Sequence, residues 1–137
     1  IMSLKIKNNL KAQFFDCDAL GIVWHGNYVK YFEEARDKFL CLIDYSYQQM
    51  SDSGYIWPVV DLQIKYIKPI KLGQKFTVEA TLLEYENRLK LGFRLYDEDS
   101  NLLTKGHCTQ VAVKDGNKTL ELITPQFFQD KIRRAIG

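Results

Sequence analysis

The sequence predicts an α+β domain in which one curved antiparallel sheet wraps around one long central helix. Three observations predict it. Apolar and polar residues alternate in a series of short stretches, as half-buried strands require. From Tyr28 the apolar spacing changes to the helical period. The later strand-like stretches are joined by short turn-forming segments, which suit antiparallel hairpins rather than parallel crossovers.

The first stretch places Leu4, Ile6, Leu10, Ala12 and Phe14 on one parity and Lys5, Lys7, Asn9, Lys11 and Gln13 on the other. It reads as a strand, with Asn8 breaking the apolar parity at a bulge or a late start. Residues 15–26, FDCDALGIVWHG, follow neither period and read as an ordered loop. Tyr28, Tyr31, Phe32, Ala35, Phe39, Leu42 and Ile43 then form an apolar helical face about four turns long. Asn27 is placed to cap that helix. A short helical turn is expected over 46–52, before Gly54.

Val60, Leu62, Ile64 and Tyr66 alternate with Asp61, Gln63 and Lys65. The same pattern recurs at Phe76, Val78, Ala80 and Leu82, and again at Leu89, Leu91, Phe93 and Leu95. Leu103 to Val113 is longer and less regular. The joins at 71–74, 86–88 and 97–101 read as turns between antiparallel neighbours. Asp115-Gly116-Asn117 is a further turn, with a short strand toward Leu122. Thr124 as N-cap and Pro125 at the first helical position open a last helix.

The chain has 137 residues, which fits a single domain over 1–137. Its 46% hydrophobic and 26% charged content excludes disorder as a global state. Apolar runs fall far short of the ~18 residues a membrane helix needs, and no signal peptide is visible. Ile1 ahead of Met2 reads as a cloning remnant. The formal charge of +2, from 19 basic and 17 acidic residues, does not call for a nucleic-acid partner. Three cysteines without a CxxC pair read as free thiols in a reducing compartment, hence the cytoplasm.

Common catalytic motifs are missing. There is no GxSxG, no GxxxxGK[ST] and no GxGxxG. The two histidines, His25 and His107, and the scattered cysteines give no metal-ligand spacing. Chemistry therefore concentrates in the loop before the long helix, where Asp16, Asp18, His25 and Asn27 fall close together. Free N–H groups at a helix start carry partial positive charge and can hold an oxygen that becomes anionic in a transition state. A carboxylate beside them can act as nucleophile or general base. Carboxylate, imidazole and helix-end donors together point to acyl transfer.

The run D-C-D-A-L-G-I-V-W-H-G-N-Y-V-K-Y-F-E-E-A-R, Asp16 to Arg36, resembles the signature of the 4-hydroxybenzoyl-CoA thioesterase family. It is nearest the YbgC-like acyl-CoA thioesterase branch, and the order of elements matches that family's hotdog fold. Leu20 departs from the pattern, where a smaller residue is common. The resemblance implies a thioesterase that hydrolyses an acyl-CoA or acyl carrier protein thioester to a free acid and thiol. It implies Asp18 as the catalytic carboxylate, nucleophile or general base. The backbone N–H near His25 or Gly26 would then polarise the carbonyl. His25 would orient Asp18, water or substrate, with Asn27 and Tyr28 beside the oxyanion position. It also implies a homo-oligomer, dimer or tetramer, with the site at the subunit interface and no metal or cofactor beyond the CoA of the substrate.

Plainer roles stand beside these. Asp18 is also a good turn former, Asp16 a loop cap, Asn27 a helix cap, and Tyr28 and Tyr31 core residues. Cys17 lacks a cationic partner in sequence and reads as packing, and His107 as structural. Trp24 and Trp57 are weak candidates for an acyl pocket. Lys65 and Lys68, with Lys71, form a basic edge that suits CoA phosphates, an acidic carrier protein or simple solvation. Two other functions fit the same residues: a β-hydroxyacyl dehydratase or hydratase, and a non-catalytic acyl-binding module.

Overall fold

The computed structural model describes residues 4–116 and 118–137. Five strands form the main sheet, in the order β1-β4-β5-β6-β3, with every neighbouring pair antiparallel. They are β1 (Lys5–Lys11), β3 (Val59–Tyr66), β4 (Lys75–Glu84), β5 (Leu89–Tyr96) and β6 (Leu102–Gln110). Helix α1 (Tyr28–Leu42) lies against the β1–β4 side of the sheet. Its apolar face drives the packing. Phe39, Leu40 and Ala35 are fully buried, and the Phe32 ring stacks on Phe93 of β5 at 4.3 Å between centroids. Burying one such side chain contributes roughly 1.5–3 kcal/mol. This is the expected antiparallel sheet around one long helix.

The remaining elements close the far end of α1. Helix α2 (Tyr47–Asp52) has a reciprocal capping box between Ser46 and Gln49. A second small sheet joins β2 (Tyr55–Ile56), β7 (Val113–Lys114) and β8 (Thr119–Leu120) in the order β2-β7-β8. Helix α3 (Gln126–Ile136) buries Phe128 and Ile132. Two sequence readings fall partly or wholly outside the described residues: Asn117 of the 115–117 turn, and the Ile1–Met2 start.

Several local expectations need correction. The 71–74 join is not a hairpin: β3 and β4 are not neighbours, and residues 67–74 carry the chain from one side of the sheet to the other. Sequence adjacency suggested a pairing that β1 and β6 take instead. Asn8 faces inward without a bulge, because its amide donates to Glu34 on α1 at 3.0 Å. Phe14 leaves the strand for a 3-10 turn over 14–16 and is exposed. Asn27 holds the cap position of α1 as expected but makes no side-chain capping bond: a 3-10 turn over His25–Asn27 runs directly into the helix, and the Asn27 amide donates to the Asp16 carbonyl instead. Pro125, not Thr124, occupies the cap of α3. The Thr124 hydroxyl donates instead to the carbonyls of Tyr85 and Glu86.

Strand β3 has the predicted alternation but not the predicted burial. Leu62, Ile64 and Tyr66 lie opposite Cys108, Gly106 and Thr104, on the helix side of the sheet. Yet Leu62 is 39% exposed and Tyr66 47%, because α1 covers this edge only in part, its first residue, Tyr28, meeting the Tyr66 ring at 4.9 Å. Its outer edge pairs with no strand among the described residues.

Candidate active site

The loop before α1 is a tight hairpin. Trp24 N donates to Asp16 O at 2.9 Å, Cys17 bridges Val23, and Asp18 N donates to Ile22 O at 2.9 Å. Gly21 closes the turn at φ +76°, a conformation a side chain resists, and its N–H donates to Asp18 O. The crossover segment 67–74 supports one arm. Val23 N donates to Ile70 O at 2.8 Å, and Leu72 N donates to Gly21 O at 3.0 Å. Ile70 is fully buried, so this support is anchored in the core.

Asp16 fixes the hairpin to the body of the protein. Only 3% of it is exposed. Its carboxylate accepts from Gln13 N, the Tyr31 hydroxyl and Lys30 Nζ, each at 3.0 Å. Its carbonyl accepts from Asn27 Nδ2 at 2.7 Å. Burial raises the Asp16 pKa, but the Gln13 N–H, Lys30 and Tyr31 outweigh it and hold the carboxyl below its ordinary value. Burial and the Asp16 charge push the Tyr31 hydroxyl the other way. Asp16 is thus the structural residue expected of it, and Asn27 is a tie between hairpin and helix start.

Asp18 is two residues further on and differs in every respect. It is exposed, and its carboxylate accepts one bond, from Leu20 N to Oδ1 at 2.9 Å. That is the turn-forming bond read from sequence. It leaves Oδ2 without a partner among the described residues. The other hairpin arm runs directly into the 3-10 turn, whose first internal bond is Asn27 N to Trp24 O at 2.9 Å. The N–H groups of His25 and Gly26 precede that bond and have no acceptor within the turn. One loop thus carries a carboxylate oxygen and unsatisfied N–H groups on its two arms.

The neighbours are partly as expected. His25 is exposed, and its ring lies against Trp24 at 5.0 Å. A Cβ on Gly26 would collide with the Trp24 ring, so glycine is what lets the indole lie over the turn. Tyr28 is 2% exposed; its hydroxyl is aimed at Thr104 and the Ile70 backbone, and burial raises its pKa. Its side chain is a core residue here. Trp57 does not join the loop: it packs beyond the far end of α1, bonding Tyr45 and touching Phe128. Lys65 points from the outer face of the sheet, opposite Lys105, while Lys68 lies near Asp97, so the two do not form one edge. Leu20 sits exposed at the loop tip and lines no interior of its own chain. Burial and the charges of Asp16 and Asp18 raise the Cys17 thiol, against a nucleophilic role.

Sequence reasoning missed Tyr66. Its hydroxyl donates to the His25 carbonyl at 2.6 Å and ties edge strand β3 to the 3-10 turn. Its inward parity on β3 was legible; its reach across 41 residues was not. A groove of about 720 Å³ opens beside Asp16, lined by Phe15, Lys30, Tyr31 and Phe76, and Asp18 lies outside that lining. Among the described residues, no group of three His, Cys, Asp or Glu could hold a metal ion. No helix among them is long and apolar enough to cross a membrane.

A curved antiparallel sheet wrapped on one long helix defines a hotdog-fold protein. The chain belongs to the thioesterase-like superfamily, whose family model matches residues 13–133. It is 27% identical over 108 residues to YneP of Bacillus subtilis, provisionally named an acyl-CoA thioesterase, covering 78% of each chain. It is 33% identical over 107 residues to an Aquifex aeolicus protein provisionally named an esterase, covering 77% of this chain and 83% of that one. Among solved structures, a DHNA-CoA thioesterase from Staphylococcus aureus superposes with a TM-score of 0.83 at 26% identity, over 96% of this chain and 87% of that one.

Proposed function

We propose that the protein hydrolyses an acyl thioester of CoA, or of an acyl carrier protein, to a free carboxylic acid and a thiol, with Asp18 as the catalytic carboxylate. The observation that carries this reading is the hairpin itself, with a free carboxylate oxygen on one arm and unpaired N–H groups at the end of the other. Asp18 attacks the thioester carbonyl, or takes a proton from a water that does. The carbonyl oxygen becomes anionic and is held by the N–H groups of His25 and Gly26. Removing one such donor typically costs about 2.7–4 kcal/mol of transition-state stabilisation. The C–S bond then breaks. The departing thiolate has a conjugate acid of pKa about 8–9 and needs little help from a general acid. On the nucleophilic route, water cleaves the acyl–aspartyl anhydride and restores Asp18. The exposed His25 imidazole orients water or substrate. No step asks for a metal or redox cofactor.

The reading includes a second copy. Asp18 faces solvent in the single chain, and Leu62 and Tyr66 of β3 lie uncovered beside an unpaired strand edge. Pairing β3 with a partner's β3 covers both and walls the site. Leu62→Glu should then give a monomer without turnover; activity in a verified monomer would sink this part. The free thiols of Cys17, Cys41 and Cys108 suit a reducing compartment, and we place the activity in the cytoplasm.

The deciding experiment is thiol release from short, long and aromatic acyl-CoAs by the native protein and Asp18→Ala. A drop of about 10² or more in a folded variant supports the carboxylate mechanism. Equal turnover by both removes it. An enoyl thioester product instead of free thiol would establish the dehydratase reading.

A further inference from the structure

The outer face of the main sheet has a hollow near its centre. Phe93 and Leu95 of β5 are buried against the helix side, so positions 92, 94 and 96 face outward. Gly92 stands between Thr81 of β4 and His107 of β6, and its missing side chain leaves the floor open. Leu83 leans over that floor: a Cβ on Gly92 would come within 3.0 Å of Leu83 Cδ1. The hollow opens into a groove of about 720 Å³. The next row of the register runs along it, with Arg94 opposite Lys105 and Lys105 opposite Lys65. All three cations are exposed, and none has a carboxylate partner among the described residues. Like charges placed directly opposite destabilise a sheet, so this row is unfavourable to the fold by itself. The one acid in the lining, Glu79, stands 3.9 Å from Lys5. The uncharged polar groups are free as well. The Gln63 and Tyr96 side chains bond to nothing among the described residues, and His107 Nδ1 is enclosed without a hydrogen bond, 3.6 Å from Asp61.

We infer that the hollow and the row form a binding site for a nucleoside di- or triphosphate, separate from the candidate active site. The spread of charge is the first argument. Adjacent strands are about 4.8 Å apart, so the three cations extend over about 10 Å. A lone phosphate reaches one or two of them, whereas a chain of two or three phosphates meets all three. Arg94 adds a planar fork that pairs with phosphate oxygens two at a time. The polar chemistry is the second argument. Lysine and arginine are donors only, and the Gln63 amide and Tyr96 hydroxyl can donate too. Free donors in one groove match a ligand whose surface is mostly acceptor oxygens. The shape of the hollow is the third. It lies two residues along β5 from Arg94, about 7 Å away. Its floor is flat backbone, with Leu83 on one side and the His107 ring on the other. That space suits a planar base, and a sugar spans the interval to the phosphates. Position is the fourth. Tyr66 and the 16–27 loop belong to the helix side of the sheet, so the sheet itself stands between the two sites. Binding neutralises the repulsion within the row, and a ligand held only by the native state raises its stability. The inference does not depend on the thioesterase reading.

The test is isothermal titration calorimetry on the full-length protein with ATP, tripolyphosphate and adenosine as probes. The double variant Arg94→Gln, Lys105→Gln removes two charges and leaves Asp18 and the 16–27 loop intact. It should melt no lower than the native protein, because it removes a repulsion. The native protein is expected to bind ATP, more weakly as salt rises. Tripolyphosphate should bind several-fold more weakly than ATP, and adenosine alone should give no heat. The double variant should lose about tenfold or more in ATP affinity. Asp18→Ala should keep that affinity, and KM for acyl-CoA should be the same in the double variant as in the native protein. Absence of ATP binding by the native protein, or binding indifferent to the double variant, overturns the inference. Tripolyphosphate bound as tightly as ATP overturns the nucleoside assignment. A KM for acyl-CoA that rises in step with the loss of ATP affinity overturns the separateness of the site, because the groove would then hold the nucleotide of CoA. Binding is read without turnover, so a failure of the hydrolysis reading leaves this test intact.

Discussion

Asp16 and Asp18 are separated by one residue and share a side chain, yet they stand in opposite environments. Asp16 is buried and accepts three bonds on its carboxylate and two on its carbonyl, from Asn27 Nδ2 and Trp24 N. Asp18 is exposed and keeps an oxygen free. The difference teaches how the hairpin divides labour: one carboxylate ends the 3-10 turn against the body of the protein, and the other, past the Cys17–Val23 bridge, is left exposed with an oxygen free. A carboxylate that is buried and bonded by three donors is stabilised as an ion and is closed to a substrate. An unsaturated one contributes little to the fold.

The sharpest way to break this comparison is to remove each carboxyl separately. Asp18→Asn should lower kcat by about 10²–10⁴ while the melting temperature hardly moves, because it removes a reacting group and no buried contact. Asp16→Asn should do the reverse. Expected is a loss of about 1.5–3 kcal/mol, the range for hydrogen bonds to a charged group, measured by denaturant unfolding. If both variants behaved alike, the division would be wrong.

The same contrast has a pH signature. The fold lowers the Asp16 pKa, so its ionised form stabilises the native state. That contribution is complete above the ordinary aspartate value of about 3.9 and is lost as pH falls through the lower folded value. Melting temperatures followed from neutral pH into acid should fall in that window, and Asp16→Asn should flatten the fall. An identical acid limb in the variant would show that other carboxylates set it.

Smaller effects sharpen the picture around the turn. Tyr66→Phe removes the bond to the His25 carbonyl and should cost about 0.5–1.5 kcal/mol, seen as a several-fold loss in kcat rather than in KM. Smallest is Lys105→Glu. It replaces two like-charge neighbours by two attractive pairs and should raise stability by a few tenths to about 1 kcal/mol. A fall in melting temperature would show that Lys105 is under no net repulsion from Arg94 and Lys65.

Much of this is legible in the sequence. The change of period at Tyr28 placed α1, and the alternations at 76–82 and 89–95 placed β4 and β5, because both sides of those elements are decided within one chain. The hairpin's chemistry was legible as a cluster of residue types before a helix. What failed did so for identifiable reasons. The alternation of β3 is genuine, but the burial it implies is not achieved by this chain's own helix. The β3–β4 join looked like a hairpin because neighbours in sequence usually pair. Asn8 looked like a flaw until Glu34 stood opposite it. Asn27 and Thr124 have the side chains of helix caps, yet each donates to carbonyls distant in sequence. Strands β2, β7 and β8, at two residues each, are too short to have a period.

The hairpin that carries Asp18 is held to the crossover segment by main-chain groups: Val23 N on Ile70 O, Leu72 N on Gly21 O, and the bridge from Ile22 to Lys71. None of these bonds depends on what side chains the residues bear. The outward-facing positions of the loop, Ala19, Leu20 and Trp24 among them, are therefore free to vary without shifting the carboxylate. Such a loop is readily diversified: selection, or a mutagenesis library, can rewrite the surface around Asp18 while the main chain that carries it stays in place.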